Sequence, residues 1–259
     1  MDLEVCAYSL ESCIAARKAG ATRVELCAAP LEGGTTPSAC AIAGAVEILK
    51  GENENPVLQL YVMIRPRGGD FYYTALEYEQ MRKEIDFVKG IPGVDGVVFG
   101  LLKPDGTIDI LRTASLVERA KDAGLGVTFH RAFDMSAWSA AGAHYSVLEE
   151  VITTGADRIL TSGFHATAIE GKKIIGELVK QAGGRIQIMA GSGVGVSNAQ
   201  ELAALGVDAL HMSGKAFRES EMIYRNPLLS MGGAKSASEY SIMVTSEEAV
   251  RAVREMLPR

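Results

Sequence analysis

The chain has 259 residues, a formal charge of −6, 47% hydrophobic residues and 22% charged residues. That balance excludes a disordered segment, and the acidic excess argues against nucleic acid or an anionic membrane as the main partner. Four cysteines in a chain of this length do not make a disulfide scaffold. The opening MDLEVCAYSLES lacks the basic and apolar regions of a signal peptide, and no apolar run approaches the ~18–20 residues of a membrane span. The expectation is a soluble cytoplasmic protein with reduced thiols.

Eight short β-rich runs follow one another: residues 3–6, 23–27, 58–65, 96–102, 126–130, 158–162, 185–190 and 209–213. Amphipathic stretches separate them, at 12–19, 76–89, 109–123, 147–153, 168–181 and 198–204. Gly20, Gly124, Gly155, Gly183 and Gly206 stand where helices should stop. The turns "AGATRVEL", "IPGVDGVVF", "TTGADRIL" and "LGVDAL" reuse one helix-to-strand connection. Eight βα units in about 250 residues predict an α/β fold, a single-domain TIM (β/α)8 barrel over residues 1–259 with a C-terminal extension. After residue 213 the pattern predicts a helix, an irregular Gly-Ser stretch at 230–238 and a final helix at 246–257.

Strand side chains alternate, so parity sorts them. The aliphatic parity (Leu3/Val5, Val24/Leu26, Val62/Ile64, Val127/Phe129, Ile186/Ile188, Leu210/Met212) should face the helices. The other parity points inward: Glu4/Cys6, Glu25/Cys27, Met63/Arg65, Thr128/His130, Gln187/Met189 and His211/Ser213. Alternation is ambiguous in the fourth and sixth strands, around Phe99 and Thr161. Barrels usually fill with branched aliphatics, so a polar, titratable interior marks a functional candidate. A purely structural network, with Glu25 paired to Arg65, would account for part of it.

Residues at C-terminal strand ends line the site in this fold. Cys6 and Cys27 end consecutive strands with the same parity, and strands ~4.8 Å apart could bring two thiolates onto one metal. Two soft thiolates favour Cu(I). The competing reading is two buried cysteines acting as small hydrophobes. Cys13 and Cys40 fall in helical stretches and are expected to pack. After the seventh strand, Gly191, Ser192 and Gly193, and after the eighth, Ser213, Gly214 and Lys215, form loops of the kind that bind anions. "RPRGGDF" supplies Arg65, Arg67 and Asp70, and "HRAFD" offers His130 as an acid–base group near Asp134. With His211 and Arg131 these give an enzyme-like, locally cationic mouth suited to a small anionic, phosphorylated or sugar-like ligand.

The segments "VELCAAPLEGGTTPS", "MIRPRGGDFYY", "VTFHRAFDM", "RILTSG", "IMAGSGV", "YRNPLLSMG" and "SEY" together resemble the CutC family, across nearly the whole chain. The resemblance implies a TIM barrel, a cytoplasmic location, homo-oligomerisation and a link to copper handling, with Cys6 and Cys27 as Cu(I) ligands. Two further readings stay open: an enzyme using His130, Arg65, Asp70, Asp134 and His211, and a scaffold with a vestigial site.

Overall fold

The computed structural model describes residues 1–51, 58–137, 143–226, 228–229 and 239–258. Eight parallel strands close on themselves in chain order: β1 (Asp2–Ala7), β2 (Arg23–Leu26), β3 (Gln59–Met63), β4 (Gly96–Phe99), β5 (Gly126–Phe129), β6 (Arg158–Thr161), β7 (Gln187–Gly191) and β8 (Ala209–Met212). Around them run α1 (Leu10–Lys18), α2 (Ala39–Lys50), α3 (Ala75–Val88), α4 (Ile110–Lys121), α5 (Ala143–Thr153), α6 (Lys172–Ala182), α7 (Ala199–Ala203) and α8 (Glu247–Met256). This is the predicted barrel. Several helices start where a side chain satisfies a free N–H. Thr74 and Glu77 form a reciprocal capping box on α3, and Ser9, Ser38, Asp109 and Ser246 cap α1, α2, α4 and α8.

The third run ends its ladder early for a visible reason. The Arg65 N–H donates to Thr36 Oγ1, and the Thr36 N–H donates back to the Arg65 carbonyl. Residue 65 is thereby tied to the β2–α2 loop. The stretch 168–181 becomes a helix only from Lys172, because Glu170 accepts from the Thr167 N–H and hydroxyl in a tight turn.

The extension differs from expectation. Instead of a helix after residue 213, β9 (Lys215–Glu219) pairs antiparallel with β10 (Ser241–Thr245). "KAFRE" alternates, and its partner SIMVT is rich in β-branched residues, so the ribbon has a local cause. The Gly-Ser stretch 230–238 lies outside the described residues. Cys13 is buried on α1 as expected. Cys40 is exposed on α2 and does not pack.

The parity rule sorts the core. All twelve of the aliphatic residues assigned outward lie in the layer between strands and helices. Inside the barrel sit Cys6, Cys27, Tyr61, Met63 and Val98, with Leu160, Met189 and Ala209 opposite. Val98 and Leu160 thus settle the two ambiguous strands. Tyr61 explains two glycines on neighbouring strands. A Cβ at Gly96 would lie 2.3 Å from its ring, and one at Gly126 would lie 2.2 Å from its hydroxyl. Close-packed interiors leave no slack for such atoms.

Candidate metal centre

Strand register assembles the charged layer. Glu4 stands opposite Arg23 on β2 and opposite His211 on β8. Its carboxylate is fully buried, ion-paired to Arg23 and 2.6 Å from His211 Nδ1. Burial pushes the Glu4 pKa up, but Arg23 and His211 overcome it and hold the group at about 2. The Arg23 guanidinium also lies 3.9 Å from the centroid of the Tyr61 ring, a cation–π contact. Glu4 is therefore an anion that, held by Arg23, fixes the orientation of the His211 ring. A ring nitrogen held by a carboxylate leaves the other nitrogen presented for a ligand.

One turn of the pleat further along, Cys6 Sγ and Cys27 Sγ are 3.7 Å apart and both buried. Cys27 Sγ is 3.5 Å from Glu25 Oε2, and His211 Nε2 is 3.9 Å from the same oxygen. Cys6, Cys27 and Glu25 offer donor atoms within 4.8 Å of one another, as do Glu4, Glu25 and His211. The hydrogen bond from Cys27 and the neighbouring His211 hold the Cys6 thiol well below its ordinary range, against burial. Burial pushes Cys27 and Glu25 up. Burial opposes the imidazolium form of His211, but Cys6, Glu4 and Glu25 hold that form well above its usual range. Cys6 and His211 are thus shifted toward their charged forms, and Cys27 and Glu25 toward their neutral ones.

Cys6, Tyr8, Arg131 and His211 line two adjoining cavities of about 110 and 600 Å³. The smaller also takes in Glu25, Met63, Arg65, Phe71 and His130. The larger reaches Ser192, Gly193, Ser213, Gly214 and Lys215. Cys6 thus lines both cavities at the C-terminal strand ends, with Cys27 buried beside it.

The family model for CutC matches residues 1–216. The chain belongs to the CutC family. A Bacteroides fragilis protein named CutC is 46% identical over 249 residues, spanning 96% of this chain and 94% of its own. Human and mouse proteins named copper homeostasis protein cutC homolog are each 43% identical over 250 residues, 96% of this chain and 86% of theirs. A crystal structure of a CutC-named protein from Streptococcus agalactiae superposes with a TM-score of 0.74 at 33% identity, over 82% of this chain and 98% of that one. A Pyrococcus furiosus thiamine phosphate pyrophosphorylase superposes at 0.55 with 16% identity, over 98% and 94% of the two chains, a likeness of fold alone.

Within this CutC-family mouth, several expected groups take other roles. Glu25 does not pair with Arg65. Arg65 instead donates to the carbonyls of Glu32, Gly34 and Gly69 at 2.7–2.8 Å. Asp134 is turned away from His130: it accepts from the Thr161 hydroxyl, the Ser162 and Phe164 N–H groups and Arg131. Phe164 holds a left-handed φ of 60° in that loop. Asp70 is exposed, pairs with Arg67 and lines neither cavity. The mouth is less cationic than its composition, because Arg67 is matched by Asp70 and Glu77 and Arg131 by Asp134. Gly191 ends β7, where a Cβ would strike Leu160 at 2.5 Å, so its glycine serves packing. The residues that the motifs passed over are Arg23, Arg158 and Tyr61. Each has the parity of a residue already assigned inward or found inside, Glu25, Leu160 and Met63 respectively, so alternation alone could have found them.

Proposed function

We propose that this chain serves copper homeostasis by holding one Cu(I) between Cys6 and Cys27. The 3.7 Å separation of two buried sulfurs, one of them lining the cavities at the strand ends, carries the reading. A collinear bridge would separate the sulfurs by twice a metal–sulfur bond of roughly 2.3 Å. The observed pair is closer, which suits a bent bridge with one side open to a third donor. His211, oriented by Glu4 and interacting with Cys6, is the nitrogen donor we assign to it. Thiolates and imidazole suit Cu(I), with the ring and thiol protons released as the metal binds, whereas a carboxyl such as Glu25 is a hard ligand that a soft ion does not prefer. The names of the human and mouse relatives support the same assignment. Anaerobic Cu(I) titration of the reduced chain against Cys6→Ser and Cys27→Ser tests it. One ion per chain in the parent and loss in both variants is expected, and equal binding by the variants would overturn it.

The same reading places the protein in the cytosol, where thiols stay reduced. All four cysteines are free, and among the described residues no helix is long and apolar enough to cross a membrane. A second copy of the chain is the expected partner. Phe217, Met222, Ile223, Tyr224, Leu228 and Leu229 are each more than half exposed along the extension. Such an apolar run on an arm beside the barrel suits burial against another copy. Light scattering should show an oligomer for the parent and a shift toward monomer for Ile223→Ser combined with Leu228→Ser. An unchanged mass would remove this arm from the contact.

A further inference from the structure

His130 and Arg65 leave two requirements unmet at the same cavity. His130 is 4% exposed, and the Ala132 N–H donates to its Nδ1 at 3.2 Å. Nδ1 is therefore the acceptor of the ring. Burial and the Arg65 charge hold the pKa at about 3, so the ring is neutral near pH 7 and its proton sits on Nε2. That Nε2–H is buried and has no acceptor among the described residues. A buried donor without a partner is rare and costly. Phe71 packs its ring 4.8 Å from the His130 ring and 4.9 Å from the Arg65 guanidinium carbon, so one aromatic wall joins the two groups.

Arg65 is also 4% exposed. Among the described residues its Nη atoms donate only to neutral carbonyls, its Nε is buried without a partner, and no carboxylate lies within ion-pair distance of it. Buried charges in proteins are paired, by a side chain or by a ligand. Asp70 and Asp134, the nearest carboxylates in sequence to Arg65 and His130, are engaged with Arg67 and Arg131. The cavity that His130 and Arg65 border has about 110 Å³ of space and shares Cys6, Tyr8, Arg131 and His211 with the larger one beside the β7 and β8 loops. That volume admits one small planar or tetrahedral group and leaves room outside for whatever carries it.

We propose that this cavity is an oxyanion site: a carboxylate or phosphoryl group of a small ligand accepts from His130 Nε2–H and supplies the counter-charge of Arg65. The ligand supplies both things the protein lacks there, an acceptor and a negative charge. Cys6 lines the same cavity, with Cys27 beside it, so the bound anion would sit next to the thiol pair. The site does not depend on copper. It would persist in a metal-free chain.

The test is side-chain ¹⁵N NMR of the four histidines in the full-length, reduced, metal-free chain, with the His130 signals identified by their loss in His130→Gln. Inorganic phosphate and acetate are titrated separately, with chloride holding ionic strength constant. The expected result is a saturable shift of the His130 Nε2 resonance with at least one anion and none with chloride alone. Phosphate alone marks a phosphoryl ligand, and acetate marks a carboxylate. Arg65→Gln keeps an amide for the loop carbonyls but removes the charge, and should weaken saturation by about 10-fold or more, the worth of a charge-assisted hydrogen bond. Saturation by neither anion overturns the proposal, whatever the variant does. So does wild-type affinity in an Arg65→Gln chain that keeps its NMR dispersion.

Discussion

Arg23→Met should lower the unfolding free energy by about 3–5 kcal/mol, the usual cost of stranding one partner of a buried ion pair. Arg23 and Glu4 are 2% and 0% exposed, and register fixes them side by side. With Arg23 gone, His211 and the weaker influence of Arg158 remain to favour the buried carboxylate. Urea unfolding at pH 7 measures the loss. The double variant Arg23→Met with Glu4→Gln should recover part of it, because no charge is then stranded. The pH dependence has a definite sign. Glu4 titrates at about 2 when folded against 4.5 as its ordinary value, so its stabilisation is complete above the unfolded value and is lost as pH falls toward 2. In Arg23→Met that loss should begin at higher pH. A single variant within about 1 kcal/mol of the parent would show that Arg23 does not hold this layer together.

Cys6→Ser and Cys27→Ser should each weaken Cu(I) binding by more than about 100-fold, because a hydroxyl is a hard, protonated donor that a soft ion does not prefer. The two replacements should be nearly equal, since a bridge needs both sulfurs. Cys13→Ser and Cys40→Ser should bind like the parent, one thiol being packed under α1 and the other exposed on α2. Glu4→Gln is the subtler case. It keeps the shape of the side chain but weakens its hold on His211, and outer supports of this kind typically change metal affinity 10–100-fold. Folding of each variant is read by thermal melting. Undiminished Cu(I) binding by either strand-end serine variant would leave the thiols as packing residues.

The barrel was legible because two periodicities and repeated turns agree along the chain. Alternation alone places Cys6, Glu25, Cys27 and His211 inside. It could not say which charges pair, because pairing depends on register between strands distant in sequence. Glu4 meets His211 across 207 residues. Arg65 was matched to the wrong partner because its role is to clamp loop carbonyls, and loop paths carry no periodic signal. The HRAFD motif misled similarly: sequence proximity joined His130 to Asp134, while the backbone turn after β5 points Asp134 at the β6 loop. The β9–β10 ribbon was missed because its strands are separated by residues 220–240, and nothing local announces that pairing.

Copper K-edge X-ray absorption of the reduced chain loaded with one equivalent of Cu(I) tests the thiol bridge most directly. The account predicts two sulfur neighbours and one lighter neighbour, in a three-coordinate spectrum that loses sulfur in Cys27→Ser. A spectrum without sulfur neighbours, or a chain that retains no copper under anaerobic conditions, would contradict it.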